Sequence, residues 1–331
     1  MRRAAPHGRH RRWRARARTA VPEPALERVR LLLARRLETR ARRSSATRGA
    51  GLVFHAVAPH GGDETLEIDP ALAVDRLEAA VAYLSRHYAL VRAAELPAAA
   101  RARRPGERVP VAVTFDDDLA SHRDHAAPVL RRHGAVATAF VCGAREPFWW
   151  QLLQIAVDRR QITSEALPHV DPELVGRALA RRPRAIHDLA KAVEDLVPAQ
   201  RERVTAALAR SVRERPPRPA PPHRRLRAAA GWEIGFHTRR HDVLTTLDDR
   251  ALREALEPPV AGGARTLAYP HGKATEREAR AARDAGYLAA YTGRAEVLTE
   301  RTDDHLIGRL QPDSATLGRF ALHLARALSV S

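Results

Sequence analysis

The stretch Val111–His122, V-A-V-T-F-D-D-D-L-A-S-H, runs from an apolar, β-branched segment directly into three aspartates. The apolar part is typical of a strand that is buried on both faces, as in a parallel sheet. Adjacent carboxylates repel one another, and burial makes each ionised form costlier still. A bound cation offsets that cost, so the end of this strand is the first candidate for a metal site.

The same order of strand and then helix recurs from residue 51 onward. We predict strands at 52–57, 109–117, 137–143, 233–238, 266–270, 289–292 and 306–310, and helices at 71–88, 119–133, 249–256, 275–285 and 316–328. This alternation indicates parallel strands joined by helical crossovers, and therefore an α/β sheet or barrel.

One segment, at about residues 147–222, interrupts this order. It contains Trp149, Trp150 and Leu152 and continues as helix-forming sequence without a strand pattern. It ends in P-P-R-P-A-P-P at 216–222, which neither a helix nor a central strand can contain. We interpret it as a helical insertion closed by a proline-rich connector in a catalytic domain of residues 51–331.

The net charge of +18 is concentrated in an arm at residues 1–50, which holds 16 arginines and three glutamates. Residues 1–24 lack periodicity and are predicted to be disordered. Residues 25–43 place five apolar side chains at helical spacing among arginines: Leu26, Val29, Leu32, Leu33 and Leu37. The pattern fits a basic amphipathic helix on an anionic membrane surface. The pattern fits equally well a solvated helix that packs on the domain. A third possibility is that the start codon was wrongly assigned.

The location of the chain follows from what these patterns lack. The single cysteine, Cys142, excludes an internal disulfide, and no apolar run is long enough to span a membrane. Residues 1–19 have no apolar core of the kind that a signal peptide needs. We therefore expect a cytoplasmic protein with peripheral membrane contact through residues 1–50, and we do not expect a nucleic-acid partner, because the charge lies mostly in the arm.

Polar groups follow four of the predicted strands. Besides the aspartates, they are His55, the pair His237 and His241 in G-F-H-T-R-R-H, and the run Tyr269–His271 in L-A-Y-P-H-G. The carboxyl ends of parallel strands meet at one edge, where catalytic groups gather. We therefore predict one site at this rim.

The histidine pair and the aspartates together suggest a metal centre. Histidines at i and i+4 face the same way on a helical turn, and two imidazoles with one carboxylate make an open, catalytic type of zinc site. Taken alone, His237 and His241 fit two surface histidines on a turn equally well. Asp116 and Asp117 point opposite ways along a strand, so one can ligate a metal while the other acts as general base. The alternative is a solvated acidic strand end.

These motifs resemble a known family. T-F-D-D-D at 114–118, H-T-R-R-H at 237–241 and L-A-Y-P-H-G at 267–272 are similar to the first three motifs of the polysaccharide deacetylases, the NodB-homology group or carbohydrate esterase family 4. The likeness runs from about residue 51 to 328. It implies a distorted (β/α)7 barrel, here with a helical insertion, and a divalent metal, usually Zn²⁺.

The resemblance also implies roles for single residues. Asp117, His237 and His241 would be the metal ligands and Asp116 the catalytic base, and the main-chain N–H of Tyr269 would help to hold the oxyanion. The reaction implied is hydrolysis of an N-acetyl, or sometimes O-acetyl, group on an amino sugar in a polysaccharide or a glycan precursor. The predicted partner is therefore a carbohydrate substrate.

This sequence departs from the family pattern in several ways, and two of them concern the catalytic residues. The arginine expected before Tyr269 is absent, and Arg309 on the last strand is the candidate to replace it. The late histidine motif that supplies a general acid is not recognisable. His305 and His323 are two candidates for this general acid, although the simpler interpretation places each of them in a loop or on a helix face without a catalytic role. If neither serves as the acid, Asp116 would return to the product the proton that it took from water.

Further residues are predicted to bind the substrate: Pro270, His55, Trp149 and Trp150. The two tryptophans fit a wall of the cleft on which a sugar would stack or that a lipid would face. They also fit an apolar contact that holds the insertion to the barrel, and we favour this second interpretation. Two other functions stay open. One is hydrolysis of a carbon–nitrogen bond in a non-sugar amide, and the other is a metal-free anion-binding protein that uses the arginine-rich arm.

Overall fold

The computed structural model describes residues 23–142, 147–213, 231–258, 264–311 and 315–329. These residues form ten strands: β1 Ala50–Phe54, β2 Val57–Ala58, β3 Leu72–Ala73, β4 Ala89–Val91, β5 Pro110–Phe115, β6 Ala137–Val141, β7 Trp232–Phe236, β8 Thr266–Ala268, β9 Ala289–Tyr291 and β10 Arg309–Leu310. They also form eleven α-helices: α1 Glu23–Arg43, α2 Val74–His87, α3 Leu96–Ala102, α4 Ala127–Arg132, α5 Trp149–Asp158, α6 Pro172–Leu179, α7 Ala185–Glu194, α8 Pro198–Ser211, α9 Asp249–Leu256, α10 Glu276–Asp284 and α11 Leu317–Ser329.

Seven of the strands form a nearly closed parallel barrel in the order β10-β1-β5-β6-β7-β8-β9. A parallel bridge between Tyr291 and Ile307, just before β10, brings the two ends of this order together. The short β4 pairs with the first half of β5, and β2 pairs with β3 outside the barrel. The fold is therefore the predicted (β/α)7 type of barrel.

The barrel strands are apolar because both of their faces are covered. All five residues of β1 and all six of β5 are buried. On the outer face the strands pack against α1, α2, α4 and α11, and inside the barrel the rings of Phe140 and Tyr291 contact each other, with centroids 5.7 Å apart. A closed, filled barrel leaves the polar strand ends as the place for a site.

Each predicted strand corresponds to an observed one, with ends that differ by a few residues. The predicted strand at 137–143 ends at Val141 in the structure, and residue 143 lies outside the described residues. Four elements, β2, β3, β4 and α3, were not predicted, and β3 lies where the helix at 71–88 was expected to begin. Their short runs of two to seven residues give too little periodicity to recognise.

The helix predicted at 119–133 is partly wrong. Residues His122–Ala126 form a wider, π-helical turn in which the Ala127 N–H donates to His122 O, and α4 follows it. The physical reason is Pro128, which has no N–H to supply the regular bond to residue 124. Such turns recur near functional sites.

The segment between β6 and β7 contains α5 to α8, which share an apolar core of their own around Leu153, Leu189 and Leu208. The proline-rich connector at 216–222 lies outside the described residues. The bounds of this insertion, and the division of the chain at residue 50, stay predictions.

In the arm, the helix begins at Glu23, so the last two residues of the stretch predicted to be disordered are helical, and residues 1–22 lie outside the described part. None of the helices described here is both long enough and apolar enough to cross a bilayer.

Candidate active site

Two strand ends bring three predicted ligands together at the rim of the barrel. Asp116 and Asp117 follow β5, and His237 and His241 follow β7. Potential ligand atoms of Asp117, His237 and His241 lie within 4.8 Å of one another. The Asp117 Oδ1 atom is 3.4 Å from His237 Nε2 and 3.2 Å from His241 Nε2. All three residues are at least nine-tenths buried.

The orientation of His237 suits this cluster to hold a cation. Its Nδ1 lies 2.8 Å from Ala268 O, and because a carbonyl only accepts, Nδ1 must carry the proton. When the ring is neutral, the lone pair of Nε2 points at Asp117 Oδ1, which is buried and has no hydrogen-bond partner among the described residues. A nitrogen lone pair and a carboxylate repel each other unless a cation lies between them.

The ionisation of these groups follows from the same contacts. Burial alone would raise the pKa of Asp117, but His237 and His241 outweigh it and hold that pKa well below its usual range. Burial lowers the pKa of His241, and the Asp117 charge only partly opposes this. At neutral pH the cluster thus offers one carboxylate and an uncharged imidazole at His241. Burial would also lower the pKa of His237, but the Asp116 and Asp117 charges outweigh it and raise that pKa, so His237 would give up its second proton when a metal binds.

Asp116 is held by an arginine on β10, which lies two strands from β5 in the sheet order. Arg309 donates from Nη1 to Asp116 Oδ1 and from Nη2 to Asp116 Oδ2, both at 2.7 Å, and also from Nη1 to Thr114 Oγ1 at 3.1 Å. Burial would raise the pKa of Asp116, but the Arg309 charge outweighs it and lowers that pKa. This contact of Arg309 keeps the Asp116 carboxylate ionised and oriented.

The backbone at the site is strained. Five residues here have φ in the left-handed region, at 76° for Asp117, 53° for Asp118, 57° for Thr238, 53° for His241 and 56° for His271. Each such non-glycine residue costs on the order of 1–3 kcal/mol. Strain of this kind persists where surrounding contacts hold it, and here it turns the polar side chains toward one point.

A cavity of about 600 Å³, which we call the site cavity, opens over this cluster. Its wall includes Asp116, Asp117, His237, His241, Arg309 and His55, and the insertion adds Trp149, Trp150 and Glu194. The position of His55 is fixed from behind, because His122 Nε2 donates to His55 O at 3.2 Å. This volume is typical of ligand-binding pockets.

The aromatic residues of the insertion lie beside a candidate metal ligand. Phe148 is buried and stacks on Trp150, with ring centroids 4.2 Å apart, and its ring centroid lies 5.5 Å from that of His241, so this pair contacts the barrel. The Trp150 ring lies 4.7 Å from the His241 ring and also faces the site cavity. One indole therefore contacts a candidate ligand and forms part of the wall.

Three titratable residues of the cavity wall have no role predicted from the sequence: His271, Glu194 and Asp69. Glu194 accepts from Lys273 Nζ at 2.7 Å and lies 3.4 Å from His271 Nδ1, which ties the insertion to the rim. Burial lowers the pKa of His271 to about 3, and burial raises that of Asp69. The only signal was for His271, which stands in L-A-Y-P-H-G; the other two lie in segments without a motif.

One prediction is wrong. The Tyr269 N–H donates to Tyr291 O at 2.9 Å in the sheet and its hydroxyl donates to His305 O at 2.9 Å, so this residue cannot bind an oxyanion in the cavity. Pro270 is buried, and its contact with the substrate stays a prediction. The physical reason is the register of β8 against β9, which commits residue 269 to the ladder and brings residue 271 to the wall.

Neither alternative for the general acid lines the site cavity. His305 is buried in a loop, where its Nε2 donates to Tyr287 O at 2.8 Å. His323 is exposed on α11. Both positions agree with the simpler interpretation that the sequence suggested.

A parallel α/β barrel with polar groups gathered at the carboxyl ends of its strands belongs to the class of barrel enzymes. The sequence model of the family described as polysaccharide deacetylase matches residues 103–290, more than half of the chain. The chain therefore belongs to the polysaccharide deacetylase family. The family supports a hydrolytic deacetylase with a carbohydrate substrate.

Comparison with solved structures supports the fold. The chain is similar to the Streptococcus pyogenes deacetylase PplD, solved in complex with acetate, at 13% identity over 86% of this chain and 99% of that chain, with a TM-score of 0.53. Likenesses to a putative polysaccharide deacetylase from Bacillus anthracis (15% identity, 83% and 68% covered, TM-score 0.47) and to IcaB from Ammonifex degensii (18%, 86% and 98%, 0.46) are weaker. None of the curated proteins matches the chain.

Proposed function

We propose that this protein is a divalent-metal-dependent deacetylase that hydrolyses the N-acetyl, or in some substrates O-acetyl, group of an amino sugar in a polysaccharide or a glycan precursor. One observation carries the proposal. The Asp117 carboxylate and the Nε2 atoms of His237 and His241 converge within a buried cluster beside Asp116, a second carboxylate that Arg309 keeps ionised.

Asp117, His237 and His241 would hold the metal ion. Two imidazoles and one carboxylate with open positions suit Zn²⁺ in a catalytic site, and the orphaned Asp117 Oδ1 is the atom that such an ion would satisfy. When bound, the ion supplies Lewis-acid polarisation of the acetyl carbonyl and makes water more acidic. A metal-free anion-binding protein, in contrast, gives no reason for these lone pairs to face one another.

Asp116 would serve as the general base. Its lowered pKa keeps it ionised at neutral pH, so it accepts a proton from the water whose oxygen bonds to the acetyl carbon. The carbon–nitrogen bond to the sugar then breaks, and acetate leaves. Because neither His305 nor His323 lines the site cavity, we propose that Asp116 returns its proton to the amine nitrogen.

The oxyanion would be held by the main chain at His271. Tyr269 donates its N–H to the sheet and Pro270 has none, so His271 supplies the next N–H along the chain and lies on the cavity wall. A main-chain donor fixed by the left-handed turn at His271 costs no reorganisation when charge develops.

The sugar would bind against Trp149 and Trp150. Indole rings present a large apolar face to the apolar face of a pyranose, and both rings lie on the wall next to the cluster. His55 lies on the same wall and would contact the substrate through its ring. Since the insertion contributes both tryptophans, it is the part of the chain that we expect to select the glycan.

The proposal is tested by acetate release from acetylated chitooligosaccharides, with acetamide as the simple-amide substrate. We expect zinc-loaded protein to release acetate from the sugar and not from acetamide, and chelation to abolish the activity. Release from acetamide alone would instead favour a non-sugar amide hydrolase. Equal release before and after complete metal removal would contradict the proposed metal dependence.

Arg309→Gln is expected to lower the free energy of unfolding and to shift the pH profile of kcat/KM. The variant leaves Asp116 buried without its cationic partner, which costs on the order of 3–5 kcal/mol in the free energy of unfolding. The pKa of Asp116 rises, so the acidic limb of the kcat/KM profile moves to higher pH. Denaturant unfolding and a pH–rate series measure the two effects.

The matched variant Arg309→Lys keeps the charge and loses the paired geometry, so we expect it to recover part of both properties.

In the wild type, a lowered pKa means that ionised Asp116 stabilises the fold above its unfolded-state pKa, and that this stabilisation is lost as the pH falls through the folded-state pKa. An acidic limb that stays in place in Arg309→Gln would exclude this role for the arginine.

A further inference from the structure

Helix α1 is fixed to the barrel by one of its faces. Ala34 and Ala41 are buried against the domain, and Glu27 accepts a hydrogen bond from the Gly318 N–H at 2.8 Å at the start of α11. Thr316 also donates to Glu27. The helix is therefore held in a defined orientation, and its outward face is defined too.

The outward face of α1 is apolar in its N-terminal half. Val29, Leu32 and Leu33 are 51%, 60% and 40% exposed. Among the described residues, two other large apolar side chains, Val197 and Leu288, are comparably exposed, and each lies outside α1. Exposed apolar residues that occur singly are ordinary, whereas three on adjacent turns of one helix form a contact surface.

Arginines continue this stripe toward the C-terminus of α1. Arg36 and Arg40 follow Val29 at i+7 and i+11, which places them on the same side of the helix, and Arg28 and Arg35 lie along its flank. All four are exposed. The outward face of α1 thus joins an apolar patch to a row of cations, in an arm with 16 arginines and three glutamates.

We propose that this face of α1 docks on an anionic lipid surface, with Val29, Leu32 and Leu33 inserted between headgroups. An apolar patch bordered by arginines has the chemistry of an interfacial helix, since the side chains enter the acyl boundary while the cations contact lipid phosphates. Charge complementarity favours this partner, because each arginine near an anionic surface is attracted to it.

Two other partners fit this face less well. A second copy of the chain would bring two arginine-rich arms together, and three side chains bury far less than the roughly 800 Å² per partner of a stable interface. The phosphates of a nucleic acid would pair with the arginines. The apolar side chains of Val29, Leu32 and Leu33 would then face phosphates, and their surface would stay in contact with water. The lipid surface alone uses both halves of the stripe.

Helix α1 is held against the helix that follows the last barrel strand. Thr316 and Gly318, the partners of Glu27, lie at the start of α11, which follows β10 in the chain. Leu33 lies roughly 9 Å along the helix axis from Glu27, at about 1.5 Å per residue. Docking in this way would therefore bring the start of α11 near the membrane. This inference does not depend on the proposed reaction.

The full chain is tested for sedimentation with phosphatidylcholine vesicles, with and without phosphatidylserine. We expect binding to the anionic vesicles alone, weakening as salt rises. The double variant Val29→Asp, Leu32→Asp keeps every arginine and should lower the partition coefficient at least about 10-fold, because it puts charge where apolar area was buried. The control Leu288→Asp changes a comparably exposed leucine elsewhere and should bind as the wild type does. Circular dichroism checks that each variant is folded.

The proposal is overturned by any of three results. Unchanged vesicle binding in the folded double variant would show that the stripe is not the contact. Equal binding to neutral and anionic vesicles would remove the role of the arginines. Self-association of the wild type that the double variant loses, without vesicle binding, would assign the patch to a second copy of the chain.

Discussion

Asp116→Asn retains its metal and loses turnover by about 10²–10⁴-fold, the range over which general acid–base groups contribute. The amide keeps the volume of the side chain and still accepts from Arg309 through its oxygen, but it cannot take a proton from water. The ligand set of Asp117, His237 and His241 is unchanged. Acetate release and metal content, measured on one preparation, separate the two effects.

The control for this substitution is Asp188→Asn. Asp188 lies on α7 with its side chain 52% exposed and pairs with Arg177 at the surface, so the same chemical change there should leave turnover unaltered. If Asp116→Asn turned over normally, or if it lost its metal, the separation of roles between Asp116 and Asp117 would be refuted.

His237→Ala is expected to abolish metal retention and, with it, activity. His237 supplies one of three ligands, and its Nδ1–H to Ala268 O fixes the ring that presents Nε2 to the cluster. In the wild type, zinc at 100 times its Kd stabilises the fold by about 2.7 kcal/mol, because it binds the native state only. This zinc-dependent rise in Tm should disappear in the variant.

His169→Ala is the matched control, because His169 is exposed on the insertion and outside the site cavity. Its Tm should still rise with added zinc. A zinc-dependent rise in Tm of wild-type size in His237→Ala would show that the ion binds at another place, and the proposed ligand set would be wrong.

The sequence predicts much of the fold because its signals are local. The buried run before Asp116 and the alternation of strands and helices follow from periodicity, which neighbouring residues fix. The meeting of Asp117 with His237 follows from a general rule, since carboxyl ends of parallel strands share one edge. The resemblance to the family motifs adds that Asp117, and not Asp116, is the carboxylate that faces the histidines.

The parts that sequence analysis missed depend on contacts between distant segments. The failure at Tyr269 is one of register: which residue donates to β9 and which reaches the cavity depends on how two strands align, and a shift by one residue reverses it. Glu194 comes from the insertion and Asp69 from a loop, and neither stands in a motif. Arg309 was named only as a replacement for a missing family residue, because no pattern spans the 193 positions to Asp116.

The central claim is that strand ends far apart in sequence hold one divalent ion. Crystals grown with zinc, with anomalous diffraction data collected at the zinc absorption edge, test it directly. We predict one anomalous peak at about 2.0–2.2 Å from an Asp117 oxygen and from the Nε2 atoms of both His237 and His241. A cluster without a peak, or a peak bonded to other residues, would contradict the account.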